Sequence, residues 1–193
     1  EARARTGSDP HSPWAVADGW RHGHPGKRLK HLVYRDTLIE VAAHGHAGDY
    51  SVDFGGTLVS VCPWWDGPVS RARLEEQLAR DAAKPKSRWI WIHHAPPDQS
   101  PVSWTGKKFA GDVYLTEWIR QYQPDLVLSG HIHNAPFYPA GSWIDRLGKT
   151  WVFNPGRQPG PKPTYLMFDS EALTMQWVSL EGEVVRELAV PVR

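Results

Sequence analysis

The chain has 193 residues, and 22 Lys and Arg against 21 Asp and Glu give a net charge of +1 with histidine neutral. A hydrophobic fraction of 40% and a charged fraction of 22% are typical of a globular chain and exclude wholesale disorder. The balanced charge predicts no nucleic-acid-binding surface, and the single cysteine, Cys62, excludes an intrachain disulfide or a Cys-rich zinc site. No apolar run is long enough for a membrane span and no signal peptide is recognisable, so we expect a cytoplasmic protein.

The sequence predicts an irregular segment followed by a folded domain. Residues 1–28 are rich in glycine and proline, so we expect an irregular N-terminal segment over residues 1–48 that wraps a domain formed by residues 49–193. Within that segment, residues 29–43 carry apolar side chains at mixed spacings, which fit either a helix or a strand. The segment also holds histidines that follow no strand, and we interpret them as surface residues, with a second metal site or a lid contact as the alternative: His22, His24, His44 and His46.

Strands and helices alternate after residue 49. Two strands over Tyr50–Phe54 and Thr57–Cys62 are predicted to form a hairpin. A helix from Ser70 to about Ala83, a buried strand over Arg88–Ile92 and a helix capped by Asp112 follow. The remaining predicted strands are Asp125–Ser129, Thr150–Phe153, Thr164–Phe168, Thr174–Leu180 and Val184–Val190. This order predicts an α/β or α+β fold with a mixed sheet.

Histidines follow two of the buried strands directly. His93 and His94 come after one strand, and His131 and His133 come after the next, beyond Gly130. Ligand sites gather where the strands of an α/β sheet end, and imidazole is a common ligand of zinc, iron and manganese. The pattern therefore favours a metal site, while the alternative is a set of turn histidines, one of them buried and hydrogen-bonded.

Two further groups of residues could contact an anionic or aromatic substrate. Asn154 and Arg157 follow the strand Thr150–Phe153, and the guanidinium fork of arginine suits phosphate. Trp64 and Trp65 lie in a loop and could form the wall of a cleft, although we favour packing within the loop as their role. Taken alone, the stretch with Asn154 and Arg157 indicates only a turn.

Taken together and in order, three short motifs resemble the later motifs of the calcineurin-like metallophosphoesterases: residues 93–97 (HHAPP), 130–133 (GHIH) and 154–156 (NPG). The resemblance covers roughly residues 48–180. It implies an α/β, mixed-sheet αββα sandwich that holds two divalent metal ions, Mn, Fe or Zn. A metal-bound hydroxide would then hydrolyse a small-molecule or nucleotide phosphodiester or phosphomonoester.

Carried over residue by residue, the resemblance implies specific roles. His93 and His131 would ligate one metal ion and His133 the other. The substrate would be contacted by His94, Asn154, Arg157, Trp64 and Trp65.

The first three motifs of that family have no convincing counterpart in this chain. Asp9-Pro10-His11 follows no apolar strand, and residues 48–53 fall at the predicted hairpin, so we interpret both partial matches as coincidental. The family's carboxylate ligands and its catalytic histidine are therefore unassigned here. We expect either a chain that lacks the first half of the domain or a divergent member with a reduced site.

Three functions follow as hypotheses. The first is a metal-dependent phosphoric ester hydrolase. The second is a non-catalytic remnant or ligand-binding module that uses its Trp-lined loops. The third is a mononuclear zinc hydrolase that uses histidines alone. The substrate, the metal and the oligomeric state are left open by the sequence.

Overall fold

The structure, a computed structural model, describes the backbone of residues 14–19, 29–34, 37–42, 51–62, 68–160 and 163–189. Side chains are described for residues 51–62, 70–160 and 163–189. These parts of the chain contain twelve β-strands and two α-helices. No helix among them is long and apolar enough to cross a membrane.

The first three strands form an antiparallel sheet in the order β1 (Trp14–Gly19), β2 (Leu29–Tyr34), β3 (Thr37–Ala42). They lie inside the segment 1–48, so the structure has strands where the sequence indicated irregular chain. For residues 29–43 the strand alternative is confirmed. The division of the chain near residue 48 stays a prediction.

The central sheet is mixed and has six strands. The inner strands β5, β6, β7 and β9 run parallel to one another, and β4 and β8 pair antiparallel at the two edges. Their bounds are β4 (Ser51–Phe54), β5 (Thr57–Cys62), β6 (Arg88–His93), β7 (Leu126–Leu128), β8 (Ile144–Leu147) and β9 (Thr150–Phe153). The predicted hairpin of β4 and β5 is confirmed. The edge strand β8 was missed because Asp145 and Arg146 interrupt its apolar pattern.

Both helices pack on one face of this sheet. Helix α1 spans Pro68–Ala83, beginning two residues before the predicted start, and α2 spans Val113–Tyr122. The predicted cap of α2 is confirmed, because the carboxylate of Asp112 accepts a hydrogen bond of 3.1 Å from the backbone N–H of Leu115. The apolar core between helices and sheet consists of Leu58, Cys62, Leu74, Leu78, Trp89, Trp91, Val102, Leu115, Trp118, Ile119, Val127 and Val152.

A second antiparallel sheet covers the opposite face. Its strands, in spatial order, are β10 (Tyr165–Asp169), β11 (Thr174–Ser179) and β12 (Gly182–Glu187). Alternate residues of the central strands, such as Ile90 and Ile92, join Phe168, Met175 and Trp177 in a second core. The indole ring of Trp143 stacks on that of Trp177 in this core, with ring centroids 6.0 Å apart and an interplanar angle of 7°.

The described residues from Ser51 onward therefore form three layers: helices, mixed sheet and antiparallel sheet. The predicted αββα sandwich is wrong, since the described chain is β-rich and both of its helices lie on the same side. Within the described residues, short turns leave no room for helices between the strands of the second antiparallel sheet. Residues 170–173 and 180–181 are the whole of the connections between β10, β11 and β12, and neither is long enough for a helix.

Candidate functional site

The carboxyl ends of three parallel strands bring the predicted site residues to one edge of the central sheet. β6 ends at His93, β7 at Leu128 and β9 at Phe153. The loops that follow β6 and β7 are joined by a backbone hydrogen bond: the N–H of Gly130 donates to the carbonyl of His94 at 3.0 Å. The sequence correctly indicated that these loops are neighbours.

Two imidazole rings meet at this edge. His94 Nε2 and His131 Nδ1 are 3.0 Å apart and share a hydrogen bond, and the ring centroids are 4.8 Å apart. His94 is half-buried and His131 is exposed. His131 has a φ of 65°, a left-handed conformation that is uncommon outside glycine and often marks functional loops. This pair is a direct side-chain contact between two of the predicted site residues.

His93 has different surroundings. Its side chain is buried, Nδ1 lies 2.8 Å from the carbonyl oxygen of Ala95, and Nε2 lies 3.7 Å from Oδ2 of Asp112. The same carboxylate caps α2. The sequence indicated Asp112 only as a helix cap. No sequence pattern predicts that it also lies beside His93.

The predicted ligand set does not assemble into a metal centre in the described part of the chain. No group of three or more His, Cys, Asp or Glu side chains there is arranged to hold an ion, so His93, His131 and His133 do not form one. His133 is exposed, and its carbonyl oxygen accepts a hydrogen bond of 2.9 Å from the backbone N–H of Arg157. The three ligand roles and the two divalent metal ions stay predictions.

Asn154 joins three loops from inside the protein. Its buried side-chain amide donates hydrogen bonds of 2.8 Å to the carbonyl oxygens of Val102 and Ile132, and its Oδ1 accepts one of 3.0 Å from the N–H of Gly156. All of its polar side-chain atoms are therefore engaged with backbone.

The other residues predicted to contact a substrate are Arg157, Trp64 and Trp65. The side chain of Arg157 is exposed, and Trp64 and Trp65 lie outside the described residues. Their role in binding a substrate stays a prediction.

A buried carboxylate that the sequence did not reveal lies near the C-terminal end of α1. Asp81 accepts hydrogen bonds from the hydroxyls of Ser51 and Ser60 and pairs with Lys84 Nζ at 2.6 Å. Burial, with a further contribution from the charge of Asp81, raises the pKa of the Cys62 thiol far above its usual range. Cys62 is thus an inert core residue rather than a nucleophile.

One family model matches this chain over residues 1–101, slightly more than half of its length: the BT domain of the methylcrotonyl-CoA carboxylase α-subunit. The chain belongs to this family. No curated protein matches it.

Two solved structures are similar to the described fold. One has 18% identity and a TM-score of 0.45, with 74% of this chain and 53% of the other covered. The crystal structure of TT1561 of Thermus thermophilus has 17% identity and a TM-score of 0.39, with 72% and 56% covered. The chain spans about half the length of both, and these scores support no inference about fold or function.

The family match overturns the resemblance to metallophosphoesterases. On this assignment the predictions of a metallophosphoesterase, of a phosphoester hydrolase and of its enzymatic activity are wrong. The three motifs that carried the resemblance are short turns after parallel strands. A shared fold or a few short motifs do not by themselves imply a shared function.

Proposed function

We propose that this chain is an accessory domain of a biotin-dependent carboxylase, which contributes protein contacts to the assembly rather than a reaction of its own. The observation that carries the proposal is the family match over residues 1–101. The family is named for one domain of an α-subunit, so the enzyme it belongs to is an assembly of unlike subunits. A domain of this kind acts by binding its neighbours.

The sheet edge supports a binding role. The side chain of Asn154 hydrogen-bonds the backbone of neighbouring loops, and Asp112 caps a helix. Side chains used in this way rigidify loops, and rigid loops lose little conformational entropy when a partner binds. This agrees with the non-catalytic binding module that the sequence left as an alternative. The cytoplasmic location stays a prediction.

Direct titration tests this proposal. The purified chain is immobilised, and the α-subunit of methylcrotonyl-CoA carboxylase and its companion subunit are each titrated over it by biolayer interferometry. We expect saturable binding of one subunit with a Kd below about 10 µM, a binding free energy stronger than roughly −7 kcal/mol. The absence of binding by both subunits at about 50 µM would refute it.

A second candidate function is the binding of one divalent cation by His94 and His131. Two nitrogens that ligate one tetrahedral zinc ion, each about 2.0–2.1 Å from it, are roughly 3.3 Å apart. The 3.0 Å between His94 Nε2 and His131 Nδ1 is close to that separation. The remaining ligands would be water or groups of a partner, because no third candidate side chain joins the pair in the described part of the chain.

Such an ion would replace the hydrogen bond between the rings and fasten the loop after β6 to the loop after β7. Equilibrium dialysis against zinc, followed by elemental analysis, tests this. We expect one equivalent of retained zinc per chain, and no retained zinc contradicts it.

A further inference from the structure

The second antiparallel sheet has an open edge, which is formed by β12. The spatial order of its strands is β10, β11, β12, and within the described residues no further strand pairs with β12. The other edge of this sheet has a neighbour, because β1 lies against β10. The unpaired backbone N–H and C=O groups of an edge strand can bind an additional strand.

The turn between β11 and β12 determines which residues direct their backbone outward. Only residues 180–181 separate the two strands, and Ser179 pairs with Gly182. In a two-residue hairpin the residues that flank the turn exchange hydrogen bonds, and bonded and non-bonded pairs then alternate along the ladder. Every second residue of β12 therefore directs its N–H and C=O away from β11. These outward residues are Glu183, Val185 and Glu187.

A side chain of the same strand supports this assignment. The guanidinium of Arg186 donates a hydrogen bond of 3.1 Å from Nη1 to the carbonyl oxygen of Val185. That carbonyl is therefore accessible from the open edge. A strand that pairs with β12 replaces the guanidinium with a backbone N–H.

The side chains of the outward residues share one face of the sheet, because residues two apart in a strand point the same way. All three are exposed, and Val185 is 54% exposed. The side-chain amide of Gln176 on β11 donates a hydrogen bond of 2.7 Å to Oε2 of Glu183, which positions that carboxylate. The edge thus presents two carboxylates, one on each side of an exposed valine. We call Glu183, Val185 and Glu187 the acidic edge.

We propose that the acidic edge binds an extended basic peptide as an additional antiparallel strand of this sheet. Side chains directly opposite one another interact in such a pair, so the complementary peptide has a cation, an apolar residue and a second cation at alternate positions. Its cations face Glu183 and Glu187, and its apolar side chain faces Val185. The backbone supplies affinity and the side chains supply specificity. This inference goes beyond the proposed function and does not depend on it.

The same charges oppose a second copy of this chain as the occupant. In the antiparallel register that places Val185 of one copy opposite Val185 of the other, Glu183 of each copy stands opposite Glu187 of the other. Like charges directly opposite one another destabilise a strand pair. Charge complementarity therefore favours a cationic strand over self-association.

An NMR titration of the isotope-labelled full chain tests the site directly. The probe is a blocked synthetic peptide of threonines in which a lysine, a valine and a second lysine stand at alternate positions. We expect saturable shifts of the backbone amides of Glu183, Val185 and Glu187, with a Kd below about 1 mM. The same peptide with glutamate in place of both lysines should cause no shifts. Absence of saturable shifts at these amides overturns the proposal.

Charge variants test the side-chain contacts. Glu183→Lys should weaken binding at least about fivefold, because it replaces an attractive cross-strand pair with a repulsive one. Glu117→Lys, at an exposed glutamate of α2, gives the same change of net charge and should bind as the wild type does. Equal weakening by the two variants would show that net charge alone attracts the peptide, and it would overturn the strand pairing.

A backbone variant tests the added strand itself. Val185→Pro removes an outward N–H and leaves the hydrogen bonds between β11 and β12 in place, because that N–H points away from β11. Val185→Thr keeps the N–H and the branched shape. We expect Val185→Pro to abolish binding and Val185→Thr to retain it, with thermal melting curves as the check of folding. Binding retained by folded Val185→Pro overturns the proposal, and if this variant does not fold, the charge variants decide.

Discussion

The side-chain amide of Asn154 donates to the carbonyl oxygen of Val102 at 2.8 Å, which joins the end of β9 to the connection between β6 and α2. The same amide also holds the carbonyl of Ile132, in the loop after β7. One buried side chain thus fixes the loops of three strand ends. The sequence indicated Asn154 as a substrate contact, while in the structure its side chain holds neighbouring loops together through hydrogen bonds.

Replacing Asn154 should destabilise the protein strongly. Asn154→Ala removes three hydrogen bonds and leaves two buried carbonyl groups with one partner fewer, so we expect a loss of about 2–4 kcal/mol in the free energy of unfolding. Urea denaturation measures it. Asn134→Ala, an exposed asparagine in the same region, is the control and should cost less than about 0.5 kcal/mol. Equal losses for the two variants would contradict the fastening role.

Two glycines with similar backbone conformations should respond differently to alanine. Gly156 has a φ of +69°, and a Cβ there would lie 2.7 Å from the ring of Pro136 and 2.8 Å from the carbonyl oxygen of His133. Gly148 has a φ of +61°, and a Cβ there would meet no atom of another part of the chain within 4 Å. We expect Gly148→Ala to cost about 1 kcal/mol from backbone strain alone.

Gly156→Ala should cost about 1–3 kcal/mol more than Gly148→Ala, since overpacking adds to the strain. Chemical denaturation of the two variants side by side measures the difference. A cost for Gly156→Ala no larger than that for Gly148→Ala would show that the loop is loosely packed.

The buried thiol should make stability fall at alkaline pH. The pKa of Cys62 is raised in the folded state by burial first and by the charge of Asp81 second, so folding favours the protonated thiol. That contribution is complete below the ordinary thiol pKa of 9.0 and is lost as the pH rises above it. We expect the wild type to lose up to about 1.4 kcal/mol more per pH unit above this point than Cys62→Ala does.

Denaturation at a series of pH values from 7 to 11, roughly the range where a thiol titrates, measures this difference. Iodoacetamide labelling gives an independent reading, because native Cys62 should react only after unfolding. Parallel stability curves for the two proteins, or rapid labelling of the folded chain, would contradict the burial of this thiol.

The proposed cation site predicts which histidine substitutions abolish zinc binding. His131→Ala should abolish zinc retention, because it removes one of the two nitrogens that lie 3.0 Å apart. His133→Ala is the matched control from the same turn and should retain zinc as the wild type does. Elemental analysis after dialysis measures both, and a loss caused by His133→Ala instead would restore the ligand set that the motif pattern predicted.

Local pattern predicted much of the central sheet. Local patterns could predict elements that depend on neighbours in sequence: the hairpin of β4 and β5, the strands β6, β7 and β9, and the cap at Asp112. The edge strand β8 was not predicted, because its polar residues break the alternation and its pairing partner is β9. The strands within residues 14–42 were obscured by the glycines and prolines around them.

The site was harder to predict than the sheet. The sequence placed His94 and His131 at one edge, since both follow parallel strands, but it could not give the 3.0 Å between their rings. The contact of His93 with Asp112 and the bonds of Asn154 depend on how separate loops fold back. The family resemblance failed for a related reason, because turns of similar sequence recur at strand ends in unrelated proteins.

Sedimentation velocity of this chain mixed in turn with each subunit of methylcrotonyl-CoA carboxylase tests the central claim most directly. We predict that the chain sediments together with one of the two subunits. A wild-type chain that sediments at its own rate, whatever the salt concentration and the excess of the subunit, would contradict the account.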